Sequence, residues 1–343
     1  MNILILGNFF SKSRGTMPVM ERVSQYLRTE TKDNVLTASY QKNKYLRLID
    51  FTLTCLFKRY HVVSIDVFSG NSFYVALFLG KMIRWRKGKI IGILHGGRLP
   101  EFSTQKERLT RQLFDQLDVI VSPSNFICNF YKDWGYNVQY LPNPINIDDF
   151  SFKPKIEESS SPKLLWVRAF TKIYNPFLPI KLVKQLSEQY PDIQLTMIGP
   201  NLGLLNESKE LAKQLGIEKN INFLGGVPNK ELYKFFHSHD IYLNTTSYES
   251  FGMAVLEAAS CGIPIVSTAV GELPMLWKDK VNILFSEEVS AKAFVKPVCN
   301  LIESKDLSSR MILNARKKAE NFDWEIIKQQ WLVLFSNNGR NNK

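Results

Sequence analysis

The sequence predicts an α/β protein made of two Rossmann-like, doubly wound domains whose parallel sheets face a central cleft. Three observations carry that expectation. A chain of 343 residues makes about two domains at roughly 150 residues each. Short apolar runs alternate with longer helix-patterned segments along its length. The alternation starts afresh after a Pro- and Ser-rich stretch near residue 150.

In the first half, residues 2–6, 35–37, 62–67, 90–94 and 119–122 are mostly apolar or β-branched and of strand length. Helix-patterned segments at 17–28, 45–58 and 73–84 lie between them. Near-continuous apolar strands separated by helices make βαβ units, whose parallel sheets are covered on both faces. The second half repeats this with strands at 164–167, 194–198, 222–224, 241–244 and 263–267, and from Ser290 it becomes mostly helical and polar. PNPINIDDF at 142–150, then a polar segment containing Ser159, Ser160 and Ser161, has linker chemistry. The expected domains are therefore 1–150 and 151–322. No repeat of 20–50 residues is visible, which excludes a solenoid.

Apolar residues form 45 % and charged residues 22 % of the chain, enough apolar surface for sizeable cores and against a disordered chain. There are 44 Lys and Arg against 32 Asp and Glu, a net charge of +12. Residues 1–150 hold 20 basic and 12 acidic side chains, so two thirds of the excess lies there and points to an anionic partner. Lys81, Arg84, Arg86, Lys87 and Lys89 are its focus, with Trp85 among them. They read either as a surface for anionic lipid or as the solvated end of a core helix. No nucleic-acid-binding module is recognisable, so that partner is not expected. Four separated cysteines without a CxxC pair argue against zinc and disulfides and for a reducing, cytoplasmic setting. MNILILGNFF lacks the basic leader of a targeting signal, and no run approaches the ~20 apolar residues of a membrane helix.

Ligands of doubly wound sheets bind at the carboxyl ends of strands. The most informative strand end is NTTSYESFGMAVLEAASCGIPIV at 244–266. Glu249 falls in the loop before a helix starting near Gly252, and Glu257 lies about 8 Å along that helix. The amides of Phe251, Gly252 and Met253 would sit at the helix start, a place for a phosphate. The plainer alternative is that Glu249 serves the helix dipole and Glu257 a solvated face. His95 follows the 90–94 strand and precedes Gly96 and Gly97; by position alone it is structural or faces a cleft. His61, His237 and His239 read as structural. Gly7 and Gly15 serve either turns or a ligand, and without GxGxxG a dinucleotide is not supported.

ESFGMAVLEAASCGIPIV, eighteen consecutive positions, resembles the carboxy-terminal signature of the retaining, nucleotide-sugar-dependent glycosyltransferases of family 4, which have the GT-B fold. PNPIN, MIGP, INFLGGVPNKEL and TAVGELP agree in order, so the likeness runs over most of residues 90–285. It implies that Glu249 contacts the donor sugar, Glu257 the ribose, and the amides of Phe251, Gly252 and Met253 the diphosphate. Arg168 in LLWVRAFTKIYNP matches the family's phosphate-binding Arg. The accompanying Lys falls on Lys172 in one register and on Tyr174 in the other. His95 in GILHGG resembles the histidine aimed at the donor sugar, with Gly15 and Gly97 in loops near phosphate or acceptor. The implied reaction moves a sugar, with retention, from a nucleotide diphosphate to a saccharide or lipid-linked saccharide. Neither resident cofactor nor metal is expected, since no Asp-x-Asp pair is present. The last segment, 323–343, would cross back to the first domain. The alternatives are a nucleotide-sugar epimerase on the same fold and a non-catalytic nucleotide-sugar or membrane-binding protein.

Overall fold

The computed structural model describes residues 1–9, 18–155 and 161–340, with side chains to Ser336. The chain divides into two units, Met1–Pro144 with Glu325–Lys343, and Ile145–Trp324. The first contains β1 (Asn2–Leu6), β2 (Asn34–Ala38), β3 (Val62–Val67), β4 (Lys89–Leu94), β5 (Val119–Ser122) and β6 (Val138–Tyr140). They form one sheet, every pair parallel, in the order β2-β1-β3-β4-β5-β6. The second contains β7 (Lys163–Val167), β8 (Gln194–Ile198), β9 (Ile221–Gly225), β10 (Ile241–Asn244), β11 (Ile265–Thr268) and β12 (Leu284–Ser286). Their order is β12-β11-β10-β7-β8-β9, again parallel.

Strand alternation explains the layering. Side chains of successive residues point to opposite faces of a sheet. Leu165 and Val167 of β7 join one core with Tyr242, Val255 and Phe251, while Leu164 and Trp166 join another with Leu182, Leu243 and Phe294. Apolar burial on both faces is what makes these strands read as continuous apolar runs. In the first unit Leu4, Val63, Ile65 and Ile90 pack under Phe51, Cys55, Phe73 and Ile83 from two helices, Lys44–Phe57 and Asn71–Trp85.

The division between units falls after Pro144, six residues before the boundary expected at 150. Ile145 and Phe150 are buried in the second unit's core, so the PNPIN segment is not a free linker. Ile145 donates its amide to the Phe322 carbonyl and accepts from the Trp324 amide. That small parallel bridge ties the entry and exit of the second unit together, and the helix Trp324–Arg340 is grouped with the first unit from Glu325 on. There Trp331 Nε1 donates to the Pro142 carbonyl at 3.0 Å and Lys328 lies 3.6 Å from Glu30. Strands β6 and β12 had no counterpart in the sequence reading. Each is a three-residue edge strand, too short for a pattern of its own.

The basic cluster needs a correction. Arg84 donates to the Gln116 carbonyl at 2.6 Å and pairs with Asp118 at 2.9 Å. Arg86 donates to the carbonyls of Cys55 and Lys58 and lies over the Tyr60 ring. These two arginines hold helix ends in place, whereas Lys81 and Lys87 are exposed. All four cysteines are free. Among the described residues no helix is long and apolar enough to span a membrane.

Candidate active site

In the second sheet the chain runs from β7 outward to β8 and β9 and then returns to β10 on the other side of β7. A crevice opens at the carboxyl ends of strands where the order reverses in this way. Arg168 follows β7 and Asn244 ends β10, so both stand at that switch point. Arg168 donates Nε and Nη2 to Asn244 Oδ1 at 3.2 and 3.0 Å, and Nη2 to Glu249 Oε2 at 2.7 Å. Its guanidinium lies over the Tyr174 ring, 5.2 Å from the centroid. The side chains of Arg168 and Glu249 are 10 and 12 % exposed, which places the pair in a weakly screened setting. Burial alone would lower the Arg168 pKa. Tyr242, Glu249, Tyr174 and Glu257 outweigh it and hold the guanidinium above its ordinary range.

The loop carrying Glu249 is fixed from several sides. Thr245 Oγ1 accepts from Trp166 Nε1 at 2.9 Å and donates to the Tyr174 carbonyl at 2.8 Å. The Ser247 amide donates to the Ile173 carbonyl and Thr268 Oγ1 to the Thr246 carbonyl, both at 2.7 Å. The Glu249 carbonyl accepts from the Glu272 amide at 3.1 Å across Gly271. A Cβ on Gly271 would lie 2.0 Å from that carbonyl oxygen, and its φ is +56°, so glycine is required there.

Gly252, at φ +91°, turns the chain into the helix Met253–Cys261, which starts without a side-chain cap. Uncapped amides at a helix start favour an anion. Phe251 points away into the core, edge-on to Phe322. Glu257 is 6 % exposed and accepts from Asn229 Nδ2 at 3.2 Å, so it is not a solvated face residue. Tyr174 packs on Arg168, while Lys172, two residues earlier, is exposed.

The first unit has its own switch point, between β1 and β3. A cavity of about 290 Å³ lies there, lined among others by Gly7, Lys44, Arg47, Asp66 and Asn71. His95 leaves β4 with its amide donated to the Val67 carbonyl at 2.8 Å. It is 7 % exposed and stacks on Phe68, with Nε2 3.3 Å from Asp66 Oδ1, an oxygen with no aligned hydrogen bond among the described residues. Gly97 sits half-buried in the following turn, and Gly15 lies outside the described residues. His61, His237 and His239 are held by the Asn2 amide, the Ser151 carbonyl, and Thr196 with the Phe235 carbonyl.

Arg168, Glu249, Gly252 and Glu257 are thus gathered at one end of the second sheet. The sequence reading missed Asn244, which orients Arg168, and Asn229, which orients Glu257. The available signal for Asn244 was a polar residue closing an apolar strand. Asp66, beside His95, is the penultimate residue of β3, where a charged side chain stands near the end of a mostly apolar strand. Among the described residues no group of three or more His, Cys, Asp or Glu is placed to hold a metal ion.

The sequence profile of the family described as glycosyl transferases group 1 matches residues 147–318, half of the chain. The chain belongs to the glycosyl transferases group 1 family. A D-inositol 3-phosphate glycosyltransferase of Corynebacterium urealyticum is 27 % identical over 176 residues, 50 % of this chain and 42 % of that protein. One component of the phosphatidylinositol N-acetylglucosaminyltransferase of Homo sapiens is 28 % identical over 158 residues, 45 % of this chain and 31 % of that protein. These matches span less than half the length of either relative. Among solved structures, sucrose-phosphate synthase of Thermosynechococcus elongatus superposes with a TM-score of 0.82 at 14 % identity, covering 98 % of both chains. HepE of Anabaena, solved with UDP and glucose, gives 0.77 at 16 % identity over 98 % of this chain and 99 % of that one. The two parallel-sheet units are those of the GT-B fold.

Proposed function

We propose that this group 1 member is a retaining glycosyltransferase of the family 4 type, moving a sugar from a nucleotide diphosphate to a saccharide acceptor. The observation that carries the reading is the Arg168–Asn244–Glu249 array at the β7/β10 switch point, beside buried Glu257 and an uncapped helix start. A guanidinium held charged in a poorly screened site suits a leaving diphosphate, whose charge grows as the glycosidic bond breaks. Arg168 and the amides near Gly252 would take that charge, Glu257 the ribose diol and Glu249 the sugar hydroxyls. His95 would orient the transferred sugar and stabilise positive character at its anomeric carbon. With no side chain cast as a covalent nucleophile, the donor's own phosphate deprotonates the acceptor hydroxyl on the face the leaving group departs from. The protein contributes position and charge.

The cavity between Gly7, Asp66 and the two basic residues Lys44 and Arg47 is the proposed acceptor site, suited to an anionic or lipid-linked saccharide. The relatives named for inositol phosphate and phosphatidylinositol support an anionic acceptor. The reaction is proposed to run in the cytoplasm, at the inner face of the membrane, without resident cofactor or metal. A thermal-shift and turnover screen over uridine, guanosine and adenosine diphosphate sugars tests the reading, with Glu257→Ala alongside and a chelator in one arm. Stabilisation by one donor series, lost in Glu257→Ala, and transfer that survives chelation are expected. Silence toward every nucleotide sugar overturns the proposal, and conversion of donor without acceptor would favour an epimerase.

A further inference from the structure

The two helices over one face of the first sheet leave a large apolar surface uncovered. Residues in a helix advance by about 100° each. In Lys44–Phe57 the residues Tyr45, Leu46, Ile49, Leu53, Leu56 and Phe57 therefore share an arc about 120° wide, while Phe51 and Cys55 on the other side fill the core. Ile49 is 53 % and Phe57 76 % exposed. In Asn71–Trp85 a stripe of Tyr74, Phe78, Lys81 and Trp85 faces outward in the same way, and Trp85 is 78 % exposed. The helices pack on one another, and Arg86 bonds to the Cys55 and Lys58 carbonyls, tying their carboxyl ends together. Phe57 and Trp85 thus stand at the same end of one two-helix surface. A helix that is apolar on its outer side as well as toward its own core has a second apolar phase to meet.

The charge says which phase. Residues 41–90 hold ten Lys and Arg and only two acids, Asp50 and Asp66. The difference of +8 equals the whole excess of the first 150 residues. Lys42, Lys44, Lys58, Arg59, Lys81 and Lys87 are exposed around the apolar arc. Aromatic and aliphatic side chains rimmed by lysines match the acyl–headgroup boundary of an anionic bilayer. A second copy fits poorly, because a two-fold contact sets this positive patch against itself.

We propose that the outer face of the helices Lys44–Phe57 and Asn71–Trp85 docks on an anionic lipid bilayer, with Ile49, Leu53, Phe57 and Trp85 in the interface and the rim lysines on headgroups. The proposed acceptor cavity opens beside the same helices, so docking would bring it to lipid-borne acceptors. That last clause rests on the transferase reading; the docking does not.

The test is co-sedimentation of the full chain with vesicles of equal phosphatidylglycerol and phosphatidylcholine, against phosphatidylcholine alone. Binding to the anionic vesicles, weakening as salt is raised, is expected. Ile49→Glu with Leu53→Glu should lower it by about tenfold or more, the effect of roughly 1.4 kcal/mol. Lys81→Ala with Lys87→Ala should lower it on anionic vesicles only. Far-UV circular dichroism and a melting curve like that of wild type establish that the Glu variant is folded. Absence of wild-type binding, equal binding by the Glu variant, or a vesicle-free dimer that this variant dissociates would each overturn the proposal. Vesicle binding without any sugar transfer would instead leave the docking intact and refute the transferase reading.

Discussion

Arg168→Ala is the substitution whose cost can be worked out most directly. It removes three hydrogen bonds, at 3.2, 3.0 and 2.7 Å, and strands the Glu249 carboxylate, only 12 % exposed, beside the Asn244 amide oxygen. Removing one partner of a buried ion pair costs about 3–5 kcal/mol, because the other is left charged where water cannot reach it. A unit the size of Ile145–Trp324 loses roughly 2–4 °C of melting temperature per kcal/mol, so a fall of roughly 6–20 °C is expected. Calorimetry of wild type, Arg168→Ala, Glu249→Ala and the double variant measures it. The double variant should be more stable than the sum of the single losses requires, since it leaves no stranded charge. A fall of less than about 1 kcal/mol, as for an exposed pair, or strict additivity would refute the reasoning. Arg168→Lys should recover only part of the loss, since an ammonium cannot reproduce the planar fork that spans Asn244 and Glu249.

Gly271→Ala should cost more than about 2 kcal/mol, through its positive φ and a Cβ 2.0 Å from the Glu249 carbonyl, and should weaken nucleotide-sugar stabilisation by displacing Glu249; an unchanged melting temperature would count against that close approach. Burial, the largest influence on His239, lowers its pKa below the ordinary 6.5, so the folded chain holds fewer protons there than the unfolded chain. This contribution to stability is complete above pH 6.5 and is lost as pH falls toward the lowered value. His239→Gln should flatten that part of a urea-stability profile. In native alkylation Cys299, the one half-exposed thiol, should react first; Cys55, pushed up to about 12 by burial against the opposing charge of Arg86, should react only on unfolding, as mass spectrometry will read.

Much of this architecture is legible in one dimension because the determining interactions are local or periodic. Strands β1, β3, β5, β8 and β10 match the apolar runs residue for residue, since both faces of each are buried and most of their side chains must be apolar. The edge strands β6 and β12 are not legible. A three-residue strand exists only because a neighbour offers it a ladder. The same contrast runs through the site. Glu249, Gly252 and Glu257 lie within one continuous segment, so the resemblance of that segment to a family signature could single them out where their spacing alone left a structural role open.

Asn244 and Asn229 became visible only once β10 lay beside β7 and the Asn229 turn beside the Met253–Cys261 helix. The domain boundary behaved likewise. Pro142 and Pro144 look like linker in sequence, but the burial of Ile145 and Phe150 against residues more than a hundred positions away moves the division to Pro144. Composition located the positive charge in the first half, while folding decided that Arg84 and Arg86 would be spent on backbone carbonyls and Asp118. The sequence by itself determined the two α/β units, the Glu249–Glu257 segment and the basic excess of the first half, since periodicity, a continuous motif and composition need no neighbours. Which polar groups orient Arg168 and Glu257, which cations stay exposed and where one unit ends are set by long-range burial and pairing, and only the tertiary structure decided them.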